Sequence, residues 1–157
     1  MKKGTLPIVL ASDHAGVRMK RRLGDALRSW GYAVEDLGPE TEESVDYPDF
    51  AEKVALRVCG GNGRLGVLVC GTGIGMAIAA NKFPGVRAAL LYDDFAARHA
   101  RLHNDANVAV FGARTMREED AEGRLKIFLD AAFESGRHAA RLDKISRFEK
   151  RPGRASG

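Results

Sequence analysis

Two cysteines in 157 residues are too few to staple a fold through disulfides. Neither Cys59 nor Cys70 lies in a C-x-x-C pair or beside histidines at zinc-ligand spacing, which argues against a structural metal centre. Long apolar runs are missing as well. The longest largely apolar stretches, Leu65–Cys70 and Val86–Tyr92, have the length of buried strands rather than of a membrane span, and no leader pattern precedes them. These absences point to a cytoplasmic chain with reduced thiols and no membrane partner.

A spread-out excess of positive charge is also lacking. The formal net charge is +4, but seven basic residues against Asp143 and Glu149 give the segment from Arg137 onward a net +5, which leaves the first 136 residues at −1. No RNA- or DNA-binding signature accompanies that segment, so nucleic acid is not an expected partner. The length suits a single domain. Residues 1–150 read as that domain, and 151–157, rich in Pro, Gly and Arg, as a disordered basic tail.

What is present is an alternation of short β-rich runs with helical stretches. Leu6–Ala11, Tyr32–Leu37, Leu65–Cys70, Val86–Leu91 and Asn107–Phe111 read as strands. Between them, Leu23, Leu27 and Trp30 recur at helical spacing, Asp46-Tyr47-Pro48 opens a helix, and others start near Gly75 and Asp94. Leu125, Phe128, Leu129, Ala132 and Phe133 form an apolar stripe, and a basic helix runs from about Arg137 to Lys150. Continuous apolar strands fit a parallel sheet covered on both faces. The expected fold is an α/β/α three-layer sandwich with a five-stranded parallel sheet, Rossmann- or flavodoxin-like in order 2-1-3-4-5, plus a C-terminal helix. Its switch point would bring Ser12-Asp13-His14 and Cys70-Gly71-Thr72-Gly73-Ile74-Gly75 to one crevice at the carboxyl ends of the strands.

The glycine-rich turn can aim backbone N–H groups at an anion. It is no P-loop, since no Gly-Lys-Ser/Thr follows, and Met76 stands where a dinucleotide fingerprint needs its third glycine. A turn without a ligand is the bland alternative. Cys70 is either an inert packing residue or, beside a helix start, a thiol held ready as nucleophile or carbon-acid base. Thr72 offers a hydroxyl for proton relay. Cys59 reads as packing and His99 as a surface residue. His103, at a helix end, is an acid/base candidate or part of a capping loop with Asn104 and Asn107. Arg137, Arg141 and Lys144 share one helix face, suited to a phosphate or simply to solvent, while Arg114 closes the fifth strand.

Seven segments carry a resemblance. They are Ser12-Asp13-His14-Ala15-Gly16, Asp46-Tyr47-Pro48, Cys70-Gly71-Thr72-Gly73-Ile74-Gly75, Ala79-Ala80-Asn81-Lys82, Arg101-Leu102-His103-Asn104-Asp105, Phe111-Gly112-Ala113-Arg114 and Gly136-Arg137-His138. In this order and over nearly the whole chain they resemble the type B ribose-5-phosphate isomerase family, which includes galactose-6-phosphate isomerase subunits. The resemblance implies an aldose–ketose isomerase without metal or cofactor, acting on ribose 5-phosphate and ribulose 5-phosphate through a cis-enediolate. It implies Cys70 as the base and His103 as the group that opens the sugar ring. Asp13, Asn104 and Tyr47 would face the sugar, and the backbone from Gly71 through Gly73 and Ile74 to Gly75 the enediolate. His14, Arg114, Arg137 and Arg141 would face the phosphate. It further implies a homodimer or tetramer with shared active sites.

Leu91-Tyr92-Asp93-Asp94-Phe95 departs from the family's small polar residues after the fourth strand. Allose 6-phosphate, galactose 6-phosphate or a tetrose 4-phosphate therefore stay open as substrates. Outside this class, a non-catalytic nucleotide-binding module would need neither Cys70 nor His103. A nicotinamide oxidoreductase lacks both the third glycine and a substrate domain.

Overall fold

A computed structural model describes residues 6–150, so the tail expected over 151–157 lies outside the described residues. Five strands, β1 (Ile8–Ser12), β2 (Val34–Asp36), β3 (Gly66–Cys70), β4 (Ala88–Leu90) and β5 (Val108–Gly112), form one all-parallel sheet. Six helices connect or follow them: α1 (Val17–Ser29), α2 (Tyr47–Val58), α3 (Ile74–Ala80), α4 (Asp94–Leu102), α5 (Glu118–Asp130) and α6 (Arg137–Glu149).

Local chemistry explains the element starts. Asp13 Oδ1 accepts from the amides of Ala15 and Gly16 at 2.9 and 3.1 Å, capping the short 3-10 turn that leads into α1. Asp93 does the same for α4 through the amide of Ala96. Pro48 sits in the first turn of α2, where its missing N–H costs nothing. Along the strands, side chains alternate between two cores. Leu10, Val69 and Phe111 face one cluster with α1, α4 and α5, whereas Ala11, Leu68 and Cys70 face the other with α2 and α3.

The strand order is β2-β1-β3-β5-β4, not the expected 2-1-3-4-5. The reason lies in strand quality. The five-residue strands β1, β3 and β5 are buried throughout and take the centre. Both β2 and β4 have only three residues, none fully buried, and form the edges rather than the continuously covered strands expected. Right-handed crossovers then dictate the helix layers. The step from β3 outward past β5 places α3 on the α2 face, and the return step from β4 to β5 places α4 on the opposite face.

One charge pair, between a buried lysine and a solvent-facing aspartate, ties the first unit together. Lys20 of α1 is 0% exposed, and its Nζ donates to both carboxylate oxygens of Asp36 at 2.7 and 2.6 Å. Asp36 Oδ1 also accepts from the amide of Gly38 at 2.9 Å, so the pair anchors the loop that leads to α2. Removing one partner of such a pair strands the other in an apolar site. Asp36→Ala should therefore lower the unfolding free energy in a urea titration by about 3 kcal/mol. A loss below about 1 kcal/mol would mean that Lys20 reaches solvent once freed.

Candidate active site

The carboxyl edge of the sheet gathers most of the predicted site. From β3 the chain turns toward α3 on one face, while β1 and β5 lead to α1 and α5 on the other. The turn after Cys70 therefore stands between the loops that follow its neighbour strands. Backbone bonds lock the three ends: the Asp13 amide donates to the Val69 carbonyl at 3.0 Å, Ala113 to Cys70 at 2.8 Å and Arg114 to Gly71 at 2.8 Å.

Inside this frame Cys70 is buried, and its Sγ accepts from the Gly73 amide at 3.1 Å. Gly73 makes that bond with φ +79, and a Cβ there would lie 2.4 Å from Leu90 Cδ1. Thr72 Oγ1 accepts from the Ile74 amide at 3.2 Å at the exposed rim. Two further side chains use the space the glycines leave. The Tyr47 ring lies over Gly75, where a Cβ would approach it to 2.8 Å, and the Arg114 guanidinium lies over Gly71, 3.3 Å from a Cβ position. Beside them a cleft of about 450 Å³ is lined by His14, Arg18, Glu42, Arg114 and Glu118. His14 Nδ1 is held by the Val45 backbone, 3.2 Å from its carbonyl and 3.3 Å from its amide. Arg18, pairing with Glu118 at 2.9 Å, and Glu42 are rim residues with no motif to announce them.

His103, Asn104, Arg137 and Arg141 are elsewhere. Helix α4 carries the chain back to the amino edge of the sheet, where His103 caps it and β5 begins five residues later. The Glu134 amide donates to the Leu102 carbonyl at 3.0 Å and brings the start of α6 to the same edge. A five-residue strand such as β3 spans on the order of 15 Å, so Cys70 and His103 of one chain do not share a site. Instead His103 belongs to an aromatic column. Phe95 stacks on His99 at 3.8 Å, His99 meets His103 edge-on at 4.7 Å, and His103 stacks on His138 at 4.1 Å. His99, expected at the surface, is thus half-buried within the column. Among the described residues no carboxylate pairs with Arg114, Arg137 or Arg141, which leaves their charge available to an anion.

The departure at Leu91–Phe95 also has a place. Tyr92 and Phe95, 65% and 70% exposed, line an apolar groove of about 550 Å³ together with Leu90, Leu142, Ile145 and Phe148. One wall is α6, a 13-residue helix that buries only His138.

This arrangement recurs in known proteins. A profile of the ribose/galactose isomerase family matches residues 8–145. The chain belongs to that family. As a member of the ribose/galactose isomerases it is an enzyme of the isomerase class. Ribose-5-phosphate isomerase B of Escherichia coli is 41% identical over 144 residues, 92% of this chain and 97% of that one. The fold is that of solved relatives. Ribose-5-phosphate isomerase B of Clostridium thermocellum superposes with a TM-score of 0.90 at 46% identity, over 92% of this chain and 98% of that one. The Mycoplasma genitalium enzyme with bound ribulose-5-phosphate gives 0.90 at 42% identity, over 93% and 97%.

The residue that sequence reasoning passed over is Glu134, whose carboxylate stands 3.5 Å from His138 Nε2 and 3.8 Å from His103 Nε2. Burial, then the positive charges of His103 and Arg137, push the His138 imidazole down from its ordinary 6.5, against a weaker opposite pull from Glu134. The native state therefore binds fewer protons at His138 than the unfolded chain does, and stability is lost as pH falls below 6.5. The melting temperature should drop between neutral pH and about 5, and drop less in His138→Gln. Equal slopes in circular-dichroism melts of the two proteins would assign the loss to other groups.

Proposed function

We propose that this ribose/galactose isomerase interconverts ribose 5-phosphate and ribulose 5-phosphate through a cis-enediolate. The observation that carries the reading is the Cys70 turn: a buried thiol whose Sγ accepts a backbone N–H, with the unpaired Arg114 guanidinium alongside. Proton abstraction beside a carbonyl needs a positioned base, donors for the oxyanion and an anchor for the substrate, and this edge of the sheet offers all three. The bound ribulose-5-phosphate of the Mycoplasma genitalium relative supports the same substrate class.

In the proposed sequence the furanose opens first. His103 gives a proton to the ring oxygen as the C1–O bond breaks, and the C1 hydroxyl loses its proton to leave an aldehyde. Cys70, as thiolate, takes the proton from C2, and the electron pair moves through C1 to its oxygen. Backbone N–H groups of Gly71–Gly75 stabilise that oxygen. The proton moves from O2 to O1 with the Thr72 hydroxyl as relay, and Cys70 returns its proton to C1. Bonds and electrons balance with no redox partner. Asp13, Tyr47 and Asn104 hold sugar hydroxyls, while His14, Arg114, Arg137 and Arg141 grip the phosphate, so that binding at the remote end positions C1 and C2. Both thiols are free, in keeping with a cytoplasmic setting.

Cys70 and His103 at opposite edges of one sheet require a second copy, and we place the complete site across a homodimer. Two observations support this. The groove bearing Tyr92, Phe95, Ile145 and Phe148 is the type of apolar surface a partner covers, and α6 buries only His138, leaving most of its surface for a partner to cover. In such a pair His103, Asn104, Arg137 and Arg141 of one protomer would complete the Cys70 cleft of the other.

The deciding assay is isomerisation of ribose 5-phosphate, run beside allose 6-phosphate, galactose 6-phosphate and a tetrose 4-phosphate. Cys70→Ala should keep its fold and lose ~10²–10⁴ in kcat. Unchanged turnover would remove Cys70 from the chemistry, and activity on a different sugar alone would move the substrate. Sharing is tested by mixing inactive Cys70→Ala with inactive His103→Asn. Random exchange makes half the dimers mixed, each with one intact site, so roughly a quarter of wild-type activity should return. No recovery after demonstrated subunit exchange would return the site to a single chain.

A further inference from the structure

The corner before α6 carries a cluster of which the proposed isomerisation uses only His103. Ser135 and Gly136 take φ values of 61 and 57, turning the chain so that Glu134 and His138 face one another. The Glu134 amide is pinned to the end of α4 and so brings His103 to the same spot. Ligand atoms of His103, Glu134 and His138 all lie within 4.8 Å of one another. His138 is 5% exposed, and its Nε2 is buried without a hydrogen-bond partner although the Glu134 carboxylate is 3.5 Å away. A buried imidazole nitrogen left unused costs stability unless something else occupies it.

We propose that His103, Glu134 and His138 form a binding site for a divalent cation of the zinc type. Two imidazoles and one carboxylate are a donor set zinc accepts, with a fourth position left open to water. With Zn–N and Zn–O bonds of about 2.0–2.2 Å, ligand atoms around a tetrahedral ion stand roughly 3.3–3.5 Å apart. The separations of 3.5 and 3.8 Å from Glu134 need only slight contraction. The two rings are 12° from parallel, so both lone pairs cannot point at one ion as they stand. His103, at the part-exposed end of α4, has the freedom to tilt out of the stack, whereas buried His138 stays fixed. Its imidazole is held toward the neutral form that a metal requires. Softer donors are absent from this cluster and a hard oxygen cage is not offered, which favours zinc over magnesium or calcium.

The consequence for activity rests on the function proposed above. An ion on the His103 ring nitrogen removes it from ring opening, so zinc acts as an inhibitor that competes with sugar phosphate, not as a cofactor.

The test has a binding arm that needs no activity. Isothermal titration of the full-length wild type with ZnCl2 should show one ion per chain. Glu134→Gln, half-exposed and so expected to fold, should weaken that binding at least tenfold, and His138→Gln, where folded, at least as much. In the assay arm, zinc should inhibit the wild type reversibly on chelation, be opposed by ribose 5-phosphate, and lose potency in Glu134→Gln. Absence of one-to-one binding, or equal affinity in Glu134→Gln, would overturn the site. Binding that follows these variants without any isomerase activity would keep the site and sink the proposed reaction instead.

Discussion

A parallel sheet forces every connection to carry the chain from the carboxyl edge back to the amino edge before the next strand can begin. Helix α4 meets that requirement and in doing so delivers His103 to the edge opposite Cys70. No repacking of side chains within one protomer reverses the arrangement, because it is built into the direction of the strands. Beside it stand the unpaired arginines at two separate places, the uncovered apolar groove beside β4, and the helix α6, which buries only His138. Each of these is what the homodimer proposed above would account for.

At the Cys70 edge the governing constraint is steric. Three strand ends approach until only hydrogen fits at several positions. A Cβ at Gly112 would lie 2.5 Å from the Thr72 carbonyl, and one at Gly16 would meet Val69 at 2.8 Å. That closeness lets the Gly73 amide reach the thiol and lets the Tyr47 ring and the Arg114 guanidinium lie over bare backbone. Rigidity here is a by-product of packing density, which holds the Gly73 amide on the Cys70 thiol and the Ile74 amide on the Thr72 hydroxyl.

Legibility in the sequence followed the range of the forces involved. The strands through Cys70 and Phe111, the Asp13 cap and the Pro48 helix start are local features, and the structure has them within a residue or two of where periodicity put them. The exchange of the last two strands was not legible, because Val86–Leu91 looks as apolar as Asn107–Phe111. Only burial separates them, and β4 keeps three half-exposed residues. Lys20 reads as one more helix-surface charge; its partner is 16 residues away, and nothing in the spacing signals their pairing. Glu134 was missed for a similar reason, since a carboxylate shared by His103 and His138 arises only when α4 and the corner before α6 meet, whereas the contacts of His99 with Phe95 and His103 are i, i+4 neighbours along α4 and its cap. Of the site residues, the Cys70, Asp13, His14, Tyr47 and Arg114 group is assembled by the chain. The His103 and Arg137 group is assembled too, but at the other edge.

The crowding at Gly73, Gly75 and Gly112 also bears on how such a scaffold could diversify. A floor made of backbone offers mutation no foothold: nearly any replacement there adds atoms where none fit. Variation is thereby steered to the rim, to positions such as Arg18 and Glu42 whose side chains reach open solvent. The crowded turn around Cys70 and the open rim beside it can then evolve as separate parts of the same surface, one nearly frozen and the other free to drift.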